Sequence, residues 1–213
     1  MISRMSKIPG IDPNYAVSIG NQIDLTLSDY LNYFKDKEDA GILAIYVEGF
    51  LDGDGLNFIR AARDISNQPE KTLVVYKAGR SPEGRSATGS HTASVAGDYS
   101  VSRALLEQAG VIVAEDIFEF ENFVKNLCFL KNKNFRGNRV GLISNAGFEC
   151  VAMSDNLKNG QNLQLASFSQ QTVKKITQLL QPLGIDRLQD IRNPIDITPV
   201  ADDRTFCQVV EAL

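Results

Sequence analysis

Ile42-Leu43-Ala44-Ile45-Tyr46-Val47-Glu48, then Asp54 to Ile65 at helical spacing, then Thr72-Leu73-Val74-Val75-Tyr76-Lys77-Ala78, is the stretch that decides the fold. Two apolar runs rich in β-branched residues, each the length of a buried strand, flank a segment long enough for a crossover helix. Parallel neighbours require such a crossover, so the stretch reads as a β-α-β unit. Working outward, further strands are expected at Tyr15 to Ile19 and Val111 to Ala114. Helices are expected at Ser28 to Lys35, Asp98 to Ala109 and Asp116 to about Leu130. In the last of these, Ile117, Phe120, Val124 and Leu127 form one apolar stripe, the mark of a core-facing side.

Lys131-Asn132-Lys133-Asn134-Phe135-Arg136-Gly137-Asn138 is a polar break, after which the alternation resumes. A strand is expected at Arg139 to Ser144 and a helix at Gly147 to Lys158. Asn162 to Ala166, a polar amphipathic helix near Gln170 to Leu180, and Asn193 to Thr198 continue the pattern. The fold class is therefore α/β: a parallel-sheet domain over 1–131 and the start of a second α/β domain over 132–213.

Composition narrows the functions. A net charge of −4 and a pI near 5.1 argue against nucleic acid or an anionic membrane as the main partner, because both need a basic face. Met1 to Lys7 has no apolar stretch of signal-peptide length, and about 18 apolar residues never run together, so a cytoplasmic chain is expected. Cys128, Cys150 and Cys207 are odd in number and widely spaced, with a single histidine in the chain. They read as core thiols, with neither a disulfide framework nor a metal site.

That histidine, His91, sits in Gly89-Ser90-His91-Thr92-Ala93-Ser94-Val95-Ala96-Gly97. Twelve of the seventeen residues from Ser81 to Gly97 are Gly, Ala, Ser or Thr. Such a run reads as a loop, one able to close its amides around a small anion or simply to stand in solvent. Ligands of open α/β sheets bind beyond the carboxyl ends of the strands, and the candidates gather there. Gly20-Asn21-Gln22 follows the first expected strand and Glu48-Gly49 the second. Lys77-Ala78-Gly79-Arg80 ends the third and leads into the His91 run. Glu48 is placed either to bond one ring nitrogen of His91, leaving the other as nucleophile, or merely to complement the next helix N-terminus. Arg80 and Arg85 are candidate charge partners of a phosphoryl group, and equally ordinary surface arginines. Ser144-Asn145-Ala146-Gly147 repeats the strand-end-to-helix logic in the second domain and offers free amides to an anion. GxGxxG, GxxxxGK[ST] and GxSxG are all absent from the sequence.

Gly79-Arg80-Ser81, Ser90-His91-Thr92, Ala96-Gly97 and Gln108-Ala109-Gly110-Val111 join Gly20-Asn21, Tyr46-Val47-Glu48-Gly49, Ser144-Asn145-Ala146-Gly147 and Asn193-Pro194-Ile195-Asp196 in one ordered series. In this series the chain resembles the nucleoside-diphosphate-forming acyl-CoA synthetases, relatives of succinyl-CoA synthetase. The resemblance implies a flavodoxin-like first domain, with His91 as phosphohistidine and Glu48 as its orienting carboxylate. Ser90 and Thr92, with the amides of Asn145, Ala146 and Gly147, would hold the phosphate. It implies that CoA, ATP or ADP and Mg²⁺ act through domains outside this chain, a CoA-binding Rossmann domain and an ATP-grasp domain or subunit, in a homo- or hetero-oligomer. On this basis the chain is expected to begin, near Met1 to Ile8, inside the helix whose N-terminus helps hold the phosphohistidine in the family, so that the domain's first strand and helix are missing, to be an internal piece and to be inactive alone. Phe148-Glu149-Cys150 stands where the family continues a glycine-rich turn. Here Glu149 is expected to point to solvent and Phe148 to line the acyl or phosphate pocket. Two other functions compete: a non-catalytic synthetase-like regulatory module of a protein acyltransferase, and a plain binding or assembly module.

Overall fold

β1 (Ile42–Val47) and β2 (Thr72–Lys77) pair in parallel, from Ile42 opposite Thr72 to Val47 opposite Lys77. β3 (Ile112–Ala114) lies parallel on the other side of β2, giving the order β1-β2-β3. Because β2 is central, Leu73, Val74 and Val75 are all buried, which explains its unbroken apolar run. These coordinates are a computed structural model that describes residues 2–91, 98–131, 133–157, 162–187 and 190–213, without the side chains of 88–91. The chain divides into two units, Met1–Lys133 and Asn134–Leu213.

In the first unit, α2 (Leu27–Lys35), α3 (Asp54–Ser66) and α5 (Tyr99–Gln108) share one core with Leu73 and Val75. Val74 faces the opposite side of the sheet. There it meets Phe120 and Val124 of α6 (Ile117–Leu130) and Met5 of α1 (Ile2–Met5), and Ile117 and Leu127 complete the stripe read from the sequence. Short polar residues start the helices. Asp98 accepts from the amides of Ser100 and Val101, and Asp116 accepts from that of Glu119. Gly110 closes α5 at φ +82, where a β-carbon would lie 2.8 Å from Cβ of Ser66.

Lys71, buried just ahead of β2, donates from Nζ to the carbonyls of Phe34 (3.2 Å), Lys37 (2.6 Å) and Ala40 (3.1 Å). It thereby ties the last turn of α2 to the segment that leads into β1, although the Phe34 and Lys37 carbonyls also accept from the amides of Lys37 and Ala40. Lys71→Met should cost about 2–3 kcal/mol in urea unfolding, the worth of charge-assisted bonds to buried acceptors. A loss below about 0.5 kcal/mol would show that water replaces the ammonium.

Two expectations for this unit are corrected. Tyr15 to Ile19 is not a strand. Tyr15 and Val17 are exposed, and side chains anchor the segment: Tyr15 Oη donates to Asp39 Oδ2 (2.8 Å) and Asn14 Nδ2 to the Asp39 carbonyl (2.9 Å). The expected loop from Ser81 to Gly97 is helical as far as His91, as α4 (Pro82–His91), and residues 92–97 lie outside the described residues. Its start signal is local: Ser81 Oγ accepts from the amide of Gly84 (3.0 Å), Pro82 opens the first turn and Glu83 suits the dipole.

In the second unit the single strand expected over Arg139 to Ser144 is two. β4 (Arg139–Val140) pairs with β6 (Gln164–Leu165), and β5 (Ile143–Ser144) with β7 (Ile195–Asp196), all in parallel. Asn193 causes the break. Its side chain accepts from the amide of Leu142 (2.9 Å) and donates to the carbonyls of Val140 (2.7 Å) and Ala166 (2.9 Å), standing in for a ladder. α7 (Gly147–Leu157), α8 (Gln170–Leu180) and α9 (Asp203–Ala212) complete the unit around Ile176, Leu180, Ile195, Ile197 and Val209. Of the three expected core thiols only Cys150 is buried; Cys128 is half-buried, and Cys207 is exposed on α9. Among the described residues no helix is long and apolar enough to cross a membrane.

Candidate functional site

The carboxyl edge of the first unit's sheet is built around Glu48, the residue after β1. Two residues earlier on the same strand, and so on the same side, Tyr46 donates from Oη to Glu48 Oε1 (2.9 Å). Burial, reinforced by that carboxylate, pushes the Tyr46 phenol up to about 12, so it stays a donor throughout the physiological range. The Glu48 carbonyl accepts from Lys77 Nζ (2.7 Å), which also donates to the Ala78 carbonyl (2.9 Å). Lys77 is 2% exposed. Burial pulls its ammonium below the ordinary lysine value, and the charge of Glu48 opposes that pull.

The next carbonyl, that of Gly49, accepts from Gln22 Nε2 (3.0 Å), and Gln22 Oε1 accepts from the amide of Leu27 (3.4 Å). Gln22 is buried with φ +57, a left-handed backbone that costs a side-chain-bearing residue energy and that surrounding contacts must hold. Gly20-Asn21-Gln22 therefore sits at the strand edge without a strand before it.

Arg80, beyond β2, is committed to Glu115: Nη1 to Oε2 is 3.2 Å. Arg103 holds the other oxygen (2.9 Å) and also binds Glu107 (2.7 Å). Hydrogen bonding to Arg103 keeps the Glu115 carboxyl below the usual range, with Arg80 adding a smaller pull. Arg85 donates to the Arg80 carbonyl (3.3 Å). The two expected charge partners thus belong to one surface network. His91 is the last residue of α4; its side chain and that of Ser90, like the whole of Thr92, lie outside the described residues, and so does the expected Glu48 to His91 bond.

In the second unit Ser144 ends β5, and Asn145-Ala146 turns the chain into α7. Ser144 Oγ accepts from the amide of Ala146 (3.1 Å) and donates to the carboxylate of Glu149. Glu149 is thus folded back onto the turn, the reverse of the outward orientation expected, because a first-turn carboxylate finds a hydroxyl donor and the positive end of the dipole there. Phe148 is 75% exposed. Gly147 is required by a close approach: a β-carbon there would lie 2.9 Å from Asp196 Oδ2. The other oxygen of Asp196 accepts from the amide of Thr198 (2.8 Å). Two carboxylates therefore flank the amides of this turn. Burial is the main cause that pushes the Cys150 thiol up, and its Sγ donates to the Ile195 carbonyl (3.5 Å).

The family model for the succinyl-CoA ligase-like flavodoxin domain matches residues 1–127. The chain belongs to that family. An ADP-forming acetate–CoA ligase of Methanocaldococcus jannaschii is 35% identical over 182 residues, 85% of this chain and 24% of the relative. The alpha subunit of an ADP-forming acetate–CoA ligase II of Pyrococcus furiosus is 30% identical over 197 residues, 92% of this chain and 40% of the relative. Among solved structures, the dinucleotide-forming acetyl-coenzyme A synthetase 1 of Candidatus Korarchaeum cryptofilum, in complex with phosphate and ADP, matches with a TM-score of 0.74 at 30% identity. That match covers 92% of this chain and 40% of the other. The chain thus spans between a quarter and two fifths of the length of these relatives.

Lys77, Tyr46, Gln22 and Glu149 all fall in stretches that the sequence singled out, but the contacts they make were not read from it. Tyr46 was legible from its i, i+2 relation to Glu48, and Lys77 from a charge closing an otherwise apolar strand. The left-handed backbone of Gln22 left no signal, since nothing in a sequence marks a non-glycine residue for it.

Proposed function

We propose that this chain carries the phosphohistidine step of an ADP-forming acyl-CoA synthetase. An acyl phosphate formed from acyl-CoA and phosphate gives its phosphoryl group to His91, releasing the acid, and phospho-His91 passes it to ADP; each step is reversible. Glu48 orients the imidazole, fixing the tautomer that leaves the attacking nitrogen unprotonated. Ser90 and Thr92 are the neighbours that take phosphoryl oxygens, and the amides of Asn145, Ala146 and Gly147 offer a phosphate-binding turn within the second unit. CoA, nucleotide and Mg²⁺ act through a CoA-binding domain and an ATP-grasp domain or subunit, and the assembly works in the cytoplasm, where these substrates are.

The observation that carries this reading is the Glu48 clamp. A carboxylate at a strand end, bonded through its side chain by Tyr46 and through its own carbonyl by a buried lysine, is built to aim one oxygen. A dipole-complementing carboxylate needs no such support. The test is a reconstitution with the partner domains, CoA, ATP and Mg²⁺, read by intact-protein mass spectrometry at neutral to alkaline pH. One acid-labile phosphate per chain supports the reading.

A second reading, the non-catalytic regulatory module, is favoured by Glu149 alone, because its carboxylate already faces the second unit's turn. A phosphoryl group about 4–6 Å from it meets repulsion on the order of 1–4 kcal/mol. Glu149→Gln should therefore raise the phosphate affinity of the turn about tenfold, measured by calorimetry or by amide shifts of Ala146 and Gly147. Unchanged affinity would remove Glu149 as an obstacle and with it this second reading.

A further inference from the structure

Two buried lysines bracket β2, and they serve different ends. Lys71, at its amino end, binds carbonyls around the end of α2. Lys77, at its carboxyl end, binds the carbonyls of Glu48 and Ala78, one from each of two neighbouring strand ends. The ladder already joins these strands as far as Val47 and Lys77, and Ala78 N extends it to the Val47 carbonyl (2.8 Å), so packing alone does not call for a charge there. An apolar side chain of the same length would fill the space without the desolvation cost of an ammonium. The charge is retained at the one place where a carbonyl to be held belongs to Glu48.

We propose that Lys77 is the positioning residue of the Glu48 carboxylate: its ammonium ties the Glu48 peptide to the end of β2 and fixes where that carboxylate projects. The proposal rests on the phosphohistidine reading of His91 for its consequence, but its geometry belongs to Lys77 and Glu48. With the peptide held by Lys77 and Oε1 held by Tyr46, the direction of the Glu48 carboxylate is fixed at two points. Gln22 holds the next peptide through the Gly49 carbonyl.

Two measurements on the full chain test this. The first follows the ¹⁵N signal of Lys77 Nζ against pH in the wild type and in Glu48→Gln. The midpoint should fall by at least half a pH unit when the carboxylate charge is removed, and equal midpoints would overturn the proposal. The second treats the chain with phosphoramidate, whose P–N bond to ammonia breaks as the free nitrogen of His91 bonds to phosphorus, and follows the acid-labile label by mass. Lys77→Met should slow labelling at least fivefold at equal folded fraction, and an unchanged rate would overturn the proposal. If the wild type takes no label at all, the phosphohistidine reading falls and the Lys77 titration decides the proposal alone. The same titration decides it should Lys77→Met fail to fold.

Discussion

His91→Ala is expected to abolish acid-labile phosphorylation of this chain completely when partner domains, CoA, ATP and Mg²⁺ are supplied. The argument is chemical before it is structural. With one histidine among 213 residues, only one side chain forms a P–N bond through an imidazole, and phosphate on serine or threonine survives the acid that removes it from histidine. Mass spectra taken before and after brief acid treatment therefore separate the two. Label that persists in His91→Ala would move the phosphoryl acceptor elsewhere. Glu48→Gln is expected to slow phosphorylation on the order of a hundredfold without touching the core, since loss of the orienting carboxylate leaves the imidazole in mixed tautomers. Its amide oxygen can still accept from Tyr46, so the fold should hold. An unchanged rate in Glu48→Gln would remove that residue from the mechanism and leave its clamp without a purpose.

The sheet was legible because its strands differ in period from its helices. β1, β2 and β3 read as apolar runs since helices cover both faces of β2, and α3 and α6 read as stripes since each buries one side. Where side chains replace ladder bonds, the reading failed. Tyr15 to Ile19 has strand composition, yet its bonds go to Asp39. Arg139 to Ser144 has it too, but the amide of Asn193, more than fifty positions later in the chain, divides it in two. The Ser81 to Gly97 run misled for the opposite reason. Small residues hid a start signal, Ser81-Pro82-Glu83, that capping rules do recognise. At the candidate site Glu48 was legible from its place at a strand end, whereas the bonds that hold it were not. They depend on which carbonyl lies within 3 Å, and neither period nor motif encodes that.

Phe58→Ala should be the most damaging single change to the first unit's stability. The ring is 0% exposed on α3, meets Phe50 at 5.0 Å between centroids, and shares a core with Leu31, Val47, Leu73 and Val75. Truncating it loses the transfer free energy of a buried ring and leaves a cavity between helices and sheet that neighbours close only in part, together about 3–5 kcal/mol. Against a total on the order of 5–15 kcal/mol, that is at least about a fifth of what keeps such a domain folded. The readout is available in the chain itself: all six tyrosines, from Tyr15 to Tyr99, lie in the first unit and there is no tryptophan. Tyrosine fluorescence in urea therefore follows this unit alone. Leu56→Ala, on the same helix but 62% exposed, should stay within about 0.5 kcal/mol and serves as the control for helix propensity. Val47, which immediately precedes Glu48, is part of the damaged core, so Phe58→Ala will also lower His91 labelling, but only in proportion to the unfolded fraction. A loss of label greater than the loss of folded protein would mean that the core beneath β1 sets the position of Glu48 as directly as Lys77 does. A destabilisation below about 1.5 kcal/mol would mean that α3 collapses onto the sheet and that this core is looser than its burial implies.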